Sequence, residues 1–169
     1  YRFDRHRCLL DVGGGDGSFL AAAGVRAPAL SLKLFDLPAV TERAKARFDA
    51  AGLADRAEVT GGDFMADPLP QGADVVSLVR VILDHDDAAA LAILRQIRRA
   101  IAHDGTLVVA EPMCDAPGAQ PVGDAYFGFY LMAMGRGQPR TFGEMRKLLA
   151  WAGFDRIERV RTRRPMLTG

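Results

Sequence analysis

Four of the seven residues 11–17 are glycines, and this run, D-V-G-G-G-D-G, constrains the chain more than any other segment. The apolar residues Cys8, Leu9 and Leu10 lead directly into it, which is typical of a buried parallel strand that enters a tight turn and then a helix. Glycine lets the backbone turn sharply and lets a ligand approach with no Cβ in the way. The run therefore predicts an α/β fold with a ligand site after its first strand.

Acidic residues also follow the next two predicted strands. Asp36 ends the apolar run 32–35, where a carboxylate can accept both hydroxyls of a ribose. Asp63 ends the third strand, and we expect it to hold an adenine amino group, with Phe64 or Met65 against the base. The three segments together predict a pocket for an adenosine-type ligand.

The acids in the glycine run favour a cationic ligand. The dinucleotide fingerprint is G-x-G-x-x-G, whereas this run has the spacing D-x-G-x-G-x-G, with Asp11 before the glycines and Asp16 among them. A pyrophosphate prefers bare backbone N–H groups at a helix N-terminus. S-adenosylmethionine carries a sulfonium and an ammonium group, so the pattern favours it over NAD. The alternative is a purely structural glycine turn in another α/β protein.

Strand and helix patterns alternate along the whole chain, which predicts a parallel sheet with helices on both faces. A capping box, Thr141 to Glu144, begins the last predicted helix. The other predicted elements are a helix from Pro38 to Gly52, a strand at 73–80, a helix that Asp86 or Asp87 begins, a strand at 106–110 and a sixth strand at 154–160.

Composition limits the possible partners. The 169 residues are 49% hydrophobic with a net charge of +1, which predicts one domain with a substantial core and no nucleic-acid partner. Two cysteines provide neither a disulfide framework nor a metal cluster. No apolar run is long enough to span a membrane, so we expect a cytoplasmic protein. The sequence begins at Tyr1 and stops at Gly169, and we expect both ends to be cut points within a longer protein.

Six segments together resemble a known enzyme family. D-V-G-G-G-D-G, F-D-L-P, G-D-F-M, D-H-D-D, A-E-P and R-T-F-G-E-M-R-K-L-L-A-W-A-G-F resemble, in this order, the catalytic domain of S-adenosylmethionine-dependent small-molecule O-methyltransferases. L-V-R-V, G-D-A-Y-F-G-F-Y and M-A-M-G-R-G are similar to bacterial carotenoid O-methyltransferases that act on hydroxyneurosporene and demethylspheroidene. The resemblance implies a Rossmann-like, doubly wound class I methyltransferase fold over residues 1–169. It also implies a homodimer formed through an N-terminal domain that this chain lacks, and a last strand that continues past Gly169.

The resemblance also implies a set of ligand residues and no metal. For cofactor binding, these are Asp11, Gly13, Gly15, Asp16, Asp36, Leu37, Asp63, Phe64, Met65 and Arg80.

The catalytic segment departs from the family pattern. In the family it reads I-L-H-D-W-D-D, and its His is the general base; here Leu83 stands in that position and His85 in that of the Trp. Glu111 matches the acid that orients the family His, whereas Pro139 replaces a second family Glu. Leucine cannot take a proton, so these departures suit an alcohol acceptor more than a phenol. The catalytic candidates are therefore Glu111 and His85.

The role of His85 has alternatives. It is either the base, a group that packs over the cofactor adenine, or a partner of Asp84, Asp86 or Asp87. Three nearby carboxylates are expected to favour its protonated form, which works against a base.

Two further segments have open interpretations. Residues 126–134 are rich in aromatic and Met side chains, which suits a core, an apolar substrate tunnel or an interface with an N-terminal domain. A basic tail either faces solvent or contacts an anionic membrane surface, and it comprises Arg156, Arg159, Arg161, Arg163 and Arg164. The favoured function is O-methylation of a hydroxylated carotenoid. The alternatives are O-methylation of a phenolic or polyketide molecule and a non-catalytic S-adenosylmethionine-binding module.

Overall fold

The computed structural model describes residues 1–115 and 137–160 and has an α/β fold. Within these residues five strands form one sheet in the order β3-β2-β1-β4-β5. The strands are β1 (Cys8–Val12), β2 (Ser31–Asp36), β3 (Ala57–Gly61), β4 (Val75–Val79) and β5 (Thr106–Ala110). The helices are α1 (Ser18–Arg26), α2 (Pro38–Ala50), α3 (Asp87–Ala100) and α4 (Phe142–Trp151).

The sheet is doubly wound around β1. This strand pairs in parallel with both β2 and β4, and β2 pairs in parallel with β3. The chain therefore leaves β1 in one direction and returns on its other side as β4. In open α/β sheets, ligands bind at the carboxyl ends of the strands where this change of direction occurs. The fold predicted from the sequence is confirmed.

The sheet carries the core because its central strands are apolar on both faces. Leu9, Leu10 and Val12 of β1 have no exposed surface, and Leu20 of α1 and Phe48 of α2 are equally buried against the sheet layer. Each such side chain contributes about 1.5–3 kcal/mol when it leaves water. This packing holds the first strand and the glycine run that follows it.

The contacts divide the chain into two compact units. The first comprises residues 1–79 and 99–108, and it contains the glycine run, Asp36 and Asp63. The second comprises residues 80–98 and the described residues from 109 onward, and it contains His85 and Glu111.

Several local predictions are confirmed at the helix starts. Pro38 occupies the first turn of α2. The Oδ1 atom of Asp86 accepts the N–H of Ala89 at 2.9 Å in the first turn of α3. At α4, Thr141 and Glu144 form the predicted capping box.

The predicted sixth strand is wrong within the described residues. Residues 154–160 have no strand structure, and most of their side chains are exposed. Phe154, Ile157 and Val160 recur at every third position and do not alternate, so the segment cannot bury one face of a sheet. The aromatic stretch 126–134 and the basic residues from Arg161 onward lie outside the described residues. No helix within residues 1–115 or 137–160 is long and apolar enough to cross a membrane.

Candidate cofactor and catalytic sites

The glycine run forms a turn with a backbone that glycine adopts most easily. Gly13 and Gly15 have φ angles of 69° and 59°, in the left-handed region that other residues rarely enter. A Cβ on Gly15 would meet no atom of the described residues within 4 Å. The turn therefore presents bare backbone to open space, as the sequence predicts.

Asp36 holds this turn from the end of β2. Its Oδ2 accepts the N–H of Gly15 at 2.7 Å, and its Oδ1 accepts the N–H of Leu37 at 2.6 Å. A carboxylate offers about four lone-pair sites, so both oxygens can still accept a hydroxyl group. The structure thus brings the predicted ribose acceptor to the glycine turn.

Asp16 has local partners. Its Oδ1 accepts hydrogen bonds from the N–H and the hydroxyl of Ser18, and its Oδ2 accepts one from Arg47 at 2.5 Å. The hydrogen bond from Ser18 is the main reason that the pKa of Asp16 is lowered. The carboxylate therefore ties the start of α1 to α2, and its contact with a cationic ligand stays a prediction.

Asp63, the third acidic position, follows β3 and lies near the end of β2, where apolar side chains are also exposed. The N–H of Gly62 donates to the carbonyl of Asp36 at 2.9 Å, so the residues after both strand ends are neighbours. Asp63 is exposed, and its Oδ1 accepts the N–H of Met65 at 2.8 Å. Leu37 is 50% exposed and Met65 is 47% exposed. Large apolar side chains at the surface suit a planar base.

Asp11 is buried beneath the glycine turn. Its Oδ1 accepts the hydroxyl of Ser77 at 2.6 Å, and its Oδ2 has no partner among the described residues. A Cβ on Gly14 would lie 2.8 Å from that Oδ2 and 2.8 Å from Leu34, so glycine is required by this close approach. Burial raises the pKa of Asp11 to about 7, and the charge on Asp36 acts in the same direction. Asp11 therefore lies buried under the turn and supports it, and its predicted cofactor contact stays a prediction.

These features fit S-adenosylmethionine. The left-handed glycine turn leaves room for close approach, Asp36 offers acceptors for hydroxyl groups, and Leu37 and Met65 offer apolar surface. When bound, S-adenosylmethionine supplies a methyl group on a sulfonium centre. Phe64, which is half-buried, belongs to the same predicted set.

The second unit begins with an unusual turn after β4. Arg80 has a φ of 58°, a left-handed conformation that is uncommon for a residue with a long side chain. Its N–H donates to the carbonyl of Ala110 at 3.0 Å, and the 3₁₀ turn Ile82–Asp84 follows. The side chain of Arg80 is exposed, and its predicted cofactor contact stays untested.

This turn presents consecutive N–H groups to Glu111. Its Oε1 accepts the N–H of Val81 and the N–H of Ile82, each at 2.7 Å. Successive backbone N–H groups in such a turn form a concave site for an anion, and here the anion belongs to the chain itself. The Oε2 of Glu111 has no partner within the described part of the chain.

Burial dominates the acidity of Glu111. The residue is 1% exposed, and burial raises its pKa to about 7, against the opposing effect of the backbone N–H groups of Ile82, Val81 and Leu83. A carboxyl with this pKa exchanges its proton near neutral pH. Such a perturbed group in a recess is a candidate functional residue.

Glu111 lines a small recess. The lining also includes apolar Leu83, Met113 and Met145 and polar Gln138 and Arg140. Leu83 is 4% exposed and offers no atom that can take a proton. The structure thus brings Glu111 and Leu83 together, in agreement with the motif alignment.

His85 is half-buried on the same segment. Burial lowers its pKa, Arg140 adds to this effect, and Asp84 and Asp86 oppose it. Asp84 and Asp86 thus favour the protonated form of His85, as expected, but burial outweighs them and the net effect is a lowered pKa. Its neutral form remains compatible with a role as a base.

Arg140 is a site residue that the sequence reasoning missed. It is 2% exposed and donates to Asp87 and to the carbonyl oxygens of Ile82, Gln138 and His85. In the sequence it is the first residue of the R-T-F-G-E-M segment and stands directly before the capping box, where charged residues are usually exposed.

Comparisons with known proteins agree with this geometry. Residues 1–155 match the O-methyltransferase domain family. The demethylspheroidene O-methyltransferase of Cereibacter sphaeroides is 46% identical over 152 residues, which are 90% of this chain and 40% of that protein. The enzyme of the same name from Rhodobacter capsulatus is 41% identical over 162 residues, which are 95% of this chain and 39% of that protein. The chain therefore spans about two fifths of the length of these relatives.

A solved structure supports the cofactor. The O-methyltransferase NcsB1 from neocarzinostatin biosynthesis, in complex with S-adenosylmethionine and 2-hydroxy-5-methyl naphthoic acid, superposes with a TM-score of 0.84 at 32% identity. The match covers 99% of this chain and 49% of that chain. With the doubly wound sheet, the open glycine turn and the family match, the chain belongs to the S-adenosylmethionine-dependent O-methyltransferases.

Proposed function

We propose that the chain is the catalytic domain of an enzyme that transfers a methyl group from S-adenosylmethionine to a hydroxyl oxygen of a hydroxylated carotenoid. The observation that carries this proposal is its 46% identity, over 90% of its length, to a demethylspheroidene O-methyltransferase. The replacement of the family His by Leu83 supports it, since a tertiary alcohol is not deprotonated before it reacts. The acceptor is then hydroxyneurosporene-like or demethylspheroidene-like.

Cofactor binding is assigned to residues of the first unit and to Arg80, the first residue of the second unit. Gly13 and Gly15 allow close approach, and Asp36 accepts the ribose hydroxyls. Asp63 contacts the base, with an apolar group formed by Leu37, Phe64 and Met65. Arg80 and Asp16 are further members of the proposed set.

Glu111 is the proposed proton acceptor. Its Oε1 is held by two backbone N–H groups, so its unpartnered Oε2 is the oxygen that remains for an acceptor hydroxyl. The proton of an alcohol becomes strongly acidic only as its oxygen is alkylated, and a carboxylate whose pKa is about 7 then suffices to take it. Leu83 and the Met side chains keep water away from this hydroxyl.

His85 is the second catalytic candidate. Its lowered pKa keeps it neutral near pH 7, as a base requires. Its alternatives, packing against the adenine or bonding to the neighbouring carboxylates, stay open. Homodimer formation and contact with a membrane surface also stay predictions.

The deciding experiment uses the full-length parent protein with methyl-labelled S-adenosylmethionine. A 1-hydroxylated carotenoid and a catechol are offered side by side. We expect label on the carotenoid. Label on the catechol alone would move the function to phenolic substrates, such as the naphthoic acid present in the NcsB1 complex. Label on neither acceptor, with S-adenosylmethionine still bound, would support a non-catalytic binding module.

A further inference from the structure

Arg140 is a charged side chain held almost entirely within the protein. Its Nη1 donates to the carbonyl of Ile82 at 2.9 Å and to that of Gln138 at 3.3 Å, and its Nη2 donates to the carbonyl of His85 at 2.8 Å. Its Nε donates to the Asp87 carboxylate at 2.9 Å. One guanidinium therefore binds three backbone carbonyls and one carboxylate.

These contacts bracket the 3₁₀ turn Ile82–Asp84. Ile82 and His85 lie on either side of Leu83, and the carbonyl of Leu83 accepts the N–H of Gln138 at 2.9 Å. The carbonyl groups of Ile82, Leu83 and His85 are thus each tied to residue 138 or 140. The carbonyl of Ile82 also accepts the N–H of His85 at 3.2 Å.

Glu111 binds the start of the same segment, because its Oε1 accepts the N–H groups of Val81 and Ile82. Arg140 is also joined to the strand end that carries Glu111, because its carbonyl accepts the N–H of Cys114 at 3.1 Å and its backbone pairs with Met113. Glu111 therefore binds N–H groups, and Arg140 binds carbonyl groups, of the one segment 81–85. The backbones of the strand end and of Arg140 are also linked to each other.

We propose that Arg140 is a positioning residue that fixes the backbone of residues 82–85 against Glu111, so that the recess keeps the shape that aligns an acceptor hydroxyl. This rests on the proposed function of Glu111. Arg140 acts through the segment and not by contact with the acceptor. Its planar fork of five donors is needed, because a lysine ammonium has three donors at one point and cannot span carbonyls three residues apart.

Removal of the guanidinium takes a donor from the carbonyl groups of Ile82, Gln138 and His85, and a buried carbonyl that loses its donor is destabilising. The turn can find new partners for these carbonyl groups by shifting away from Glu111. Misplacement of a catalytic group by about 1 Å costs on the order of 10²-fold in rate. The loss is therefore expected in kcat, while cofactor affinity in the other unit is retained.

The test compares Arg140→Lys, Arg140→Met and Arg98→Met in the full-length parent protein. Arg98 is a matched control, because its Nε donates to the carbonyl of Gly153 at 3.2 Å within the same unit, away from the Ile82 turn. The kcat and the KM for the acceptor are measured with whichever acceptor the wild-type protein methylates. The Kd for S-adenosylmethionine checks the cofactor site, and the stoichiometry of that binding reports the folded fraction.

We expect Arg140→Lys to lose about 10-fold and Arg140→Met about 10²-fold in kcat, with the Kd within twofold of wild type. Arg98→Met is expected to stay within twofold in kcat. Equal losses in the Arg140 and Arg98 variants, or a loss that follows the folded fraction, would show a general structural role and overturn the proposal.

Hydrogen exchange separates this inference from the identity of the acceptor. In Arg140→Lys, amide exchange in residues 81–85 is expected to accelerate at least tenfold, while residues 11–17 exchange as in wild type. This measurement needs no turnover, so it remains decisive if neither acceptor is methylated. Unchanged protection at residues 81–85 would overturn the positioning role even if Glu111 proves catalytic.

Discussion

Asp11 and Glu111 are two carboxyls with the same burial and different surroundings. Each is 1% exposed, each has one partnered and one unpartnered oxygen in the described structure, and burial raises the pKa of each to about 7. Asp11 is bonded to a hydroxyl, and the charge on Asp36 adds to the rise. Glu111 is bonded to backbone N–H groups that favour its anion.

The difference lies in what each free oxygen faces. Both oxygens are buried: a Cβ on Gly14 would come within 2.8 Å of the Oδ2 of Asp11, whereas Glu111 lies beside Leu83, Met113 and Met145. A similar pKa therefore goes with a supporting position under the glycine turn in one unit and a proposed catalytic role in the other. Perturbed acidity by itself does not identify a catalytic group.

The largest expected effect comes from Glu111→Gln. Glutamine keeps the shape but cannot accept the hydroxyl proton, so kcat is expected to fall by about 10²–10³-fold with the Kd for S-adenosylmethionine unchanged. Wild-type kcat is expected to rise with pH through about 7, as the carboxylate forms, and the variant is expected to lack this rise. Steady-state kinetics between about pH 5.5 and about pH 8.5, on either side of this pKa, measure both effects.

The control for this variant is Glu144→Gln. Glu144 is exposed in the capping box, where glutamine also serves, so activity is expected to stay at the wild-type level. A Glu111→Gln enzyme with normal kcat would remove the proposed contrast between the two carboxyls.

Asp11→Asn is expected to change the pH dependence of stability. Below about pH 4, Asp11 is protonated in both the folded and the unfolded protein. Between that pH and about 7 only the unfolded carboxyl ionises, so wild-type stability falls as pH rises. At about pH 7 this lowers the free energy of unfolding by roughly 4 kcal/mol, because the pKa differs by about 3 units between the folded and unfolded protein and one unit corresponds to about 1.4 kcal/mol.

Asp11→Asn mimics the protonated acid, so its stability is expected to fall less than that of the wild type as pH rises through this range. Thermal unfolding of the parent protein at several pH values measures it, with exposed Asp49→Asn as the control. Parallel curves for wild type and Asp11→Asn would contradict the closed, neutral state of Asp11.

Gly15→Ala tests the open side of the glycine turn, and Gly52→Ala is its matched control. Both glycines have positive φ, 59° and 66°, and a Cβ on either meets no described atom within 4 Å. Both variants are expected to lose about 1 kcal/mol of stability from backbone strain. Only Gly15→Ala is expected to weaken S-adenosylmethionine binding, by about tenfold, because its methyl group points into the proposed ligand space. Equal affinities by calorimetry would place the ligand elsewhere.

His85→Ala is expected to have the smallest effect, less than about 10-fold in kcat, since Glu111 is the proposed acceptor. Rates at saturating acceptor and cofactor provide the measurement. A loss of 10² or more with cofactor binding intact, within the range of about 10²–10⁴ for a true base, would transfer the role to His85.

The first unit could be predicted well because its signals are local. The apolar run before the glycines and Pro38 at the start of α2 each act within a few residues, as does the Thr141 capping box of α4 in the second unit. The sixth strand failed for a related reason: the apolar residues of 154–160 do not alternate, and the described structure shows no strand there. Local patterns predict elements where the pattern and the required burial agree.

The sequence by itself determined the doubly wound fold, the glycine turn, Asp36 at the end of β2 and the loss of the family His at Leu83. Only the tertiary structure decided the environments of the charged groups. Asp11 meets Ser77 across 66 positions, Glu111 meets Val81 across 30, and Arg140 meets Ile82 across 58. Acidity and positioning depend on desolvation and on partners brought together by folding, and neither is encoded in residue type or spacing.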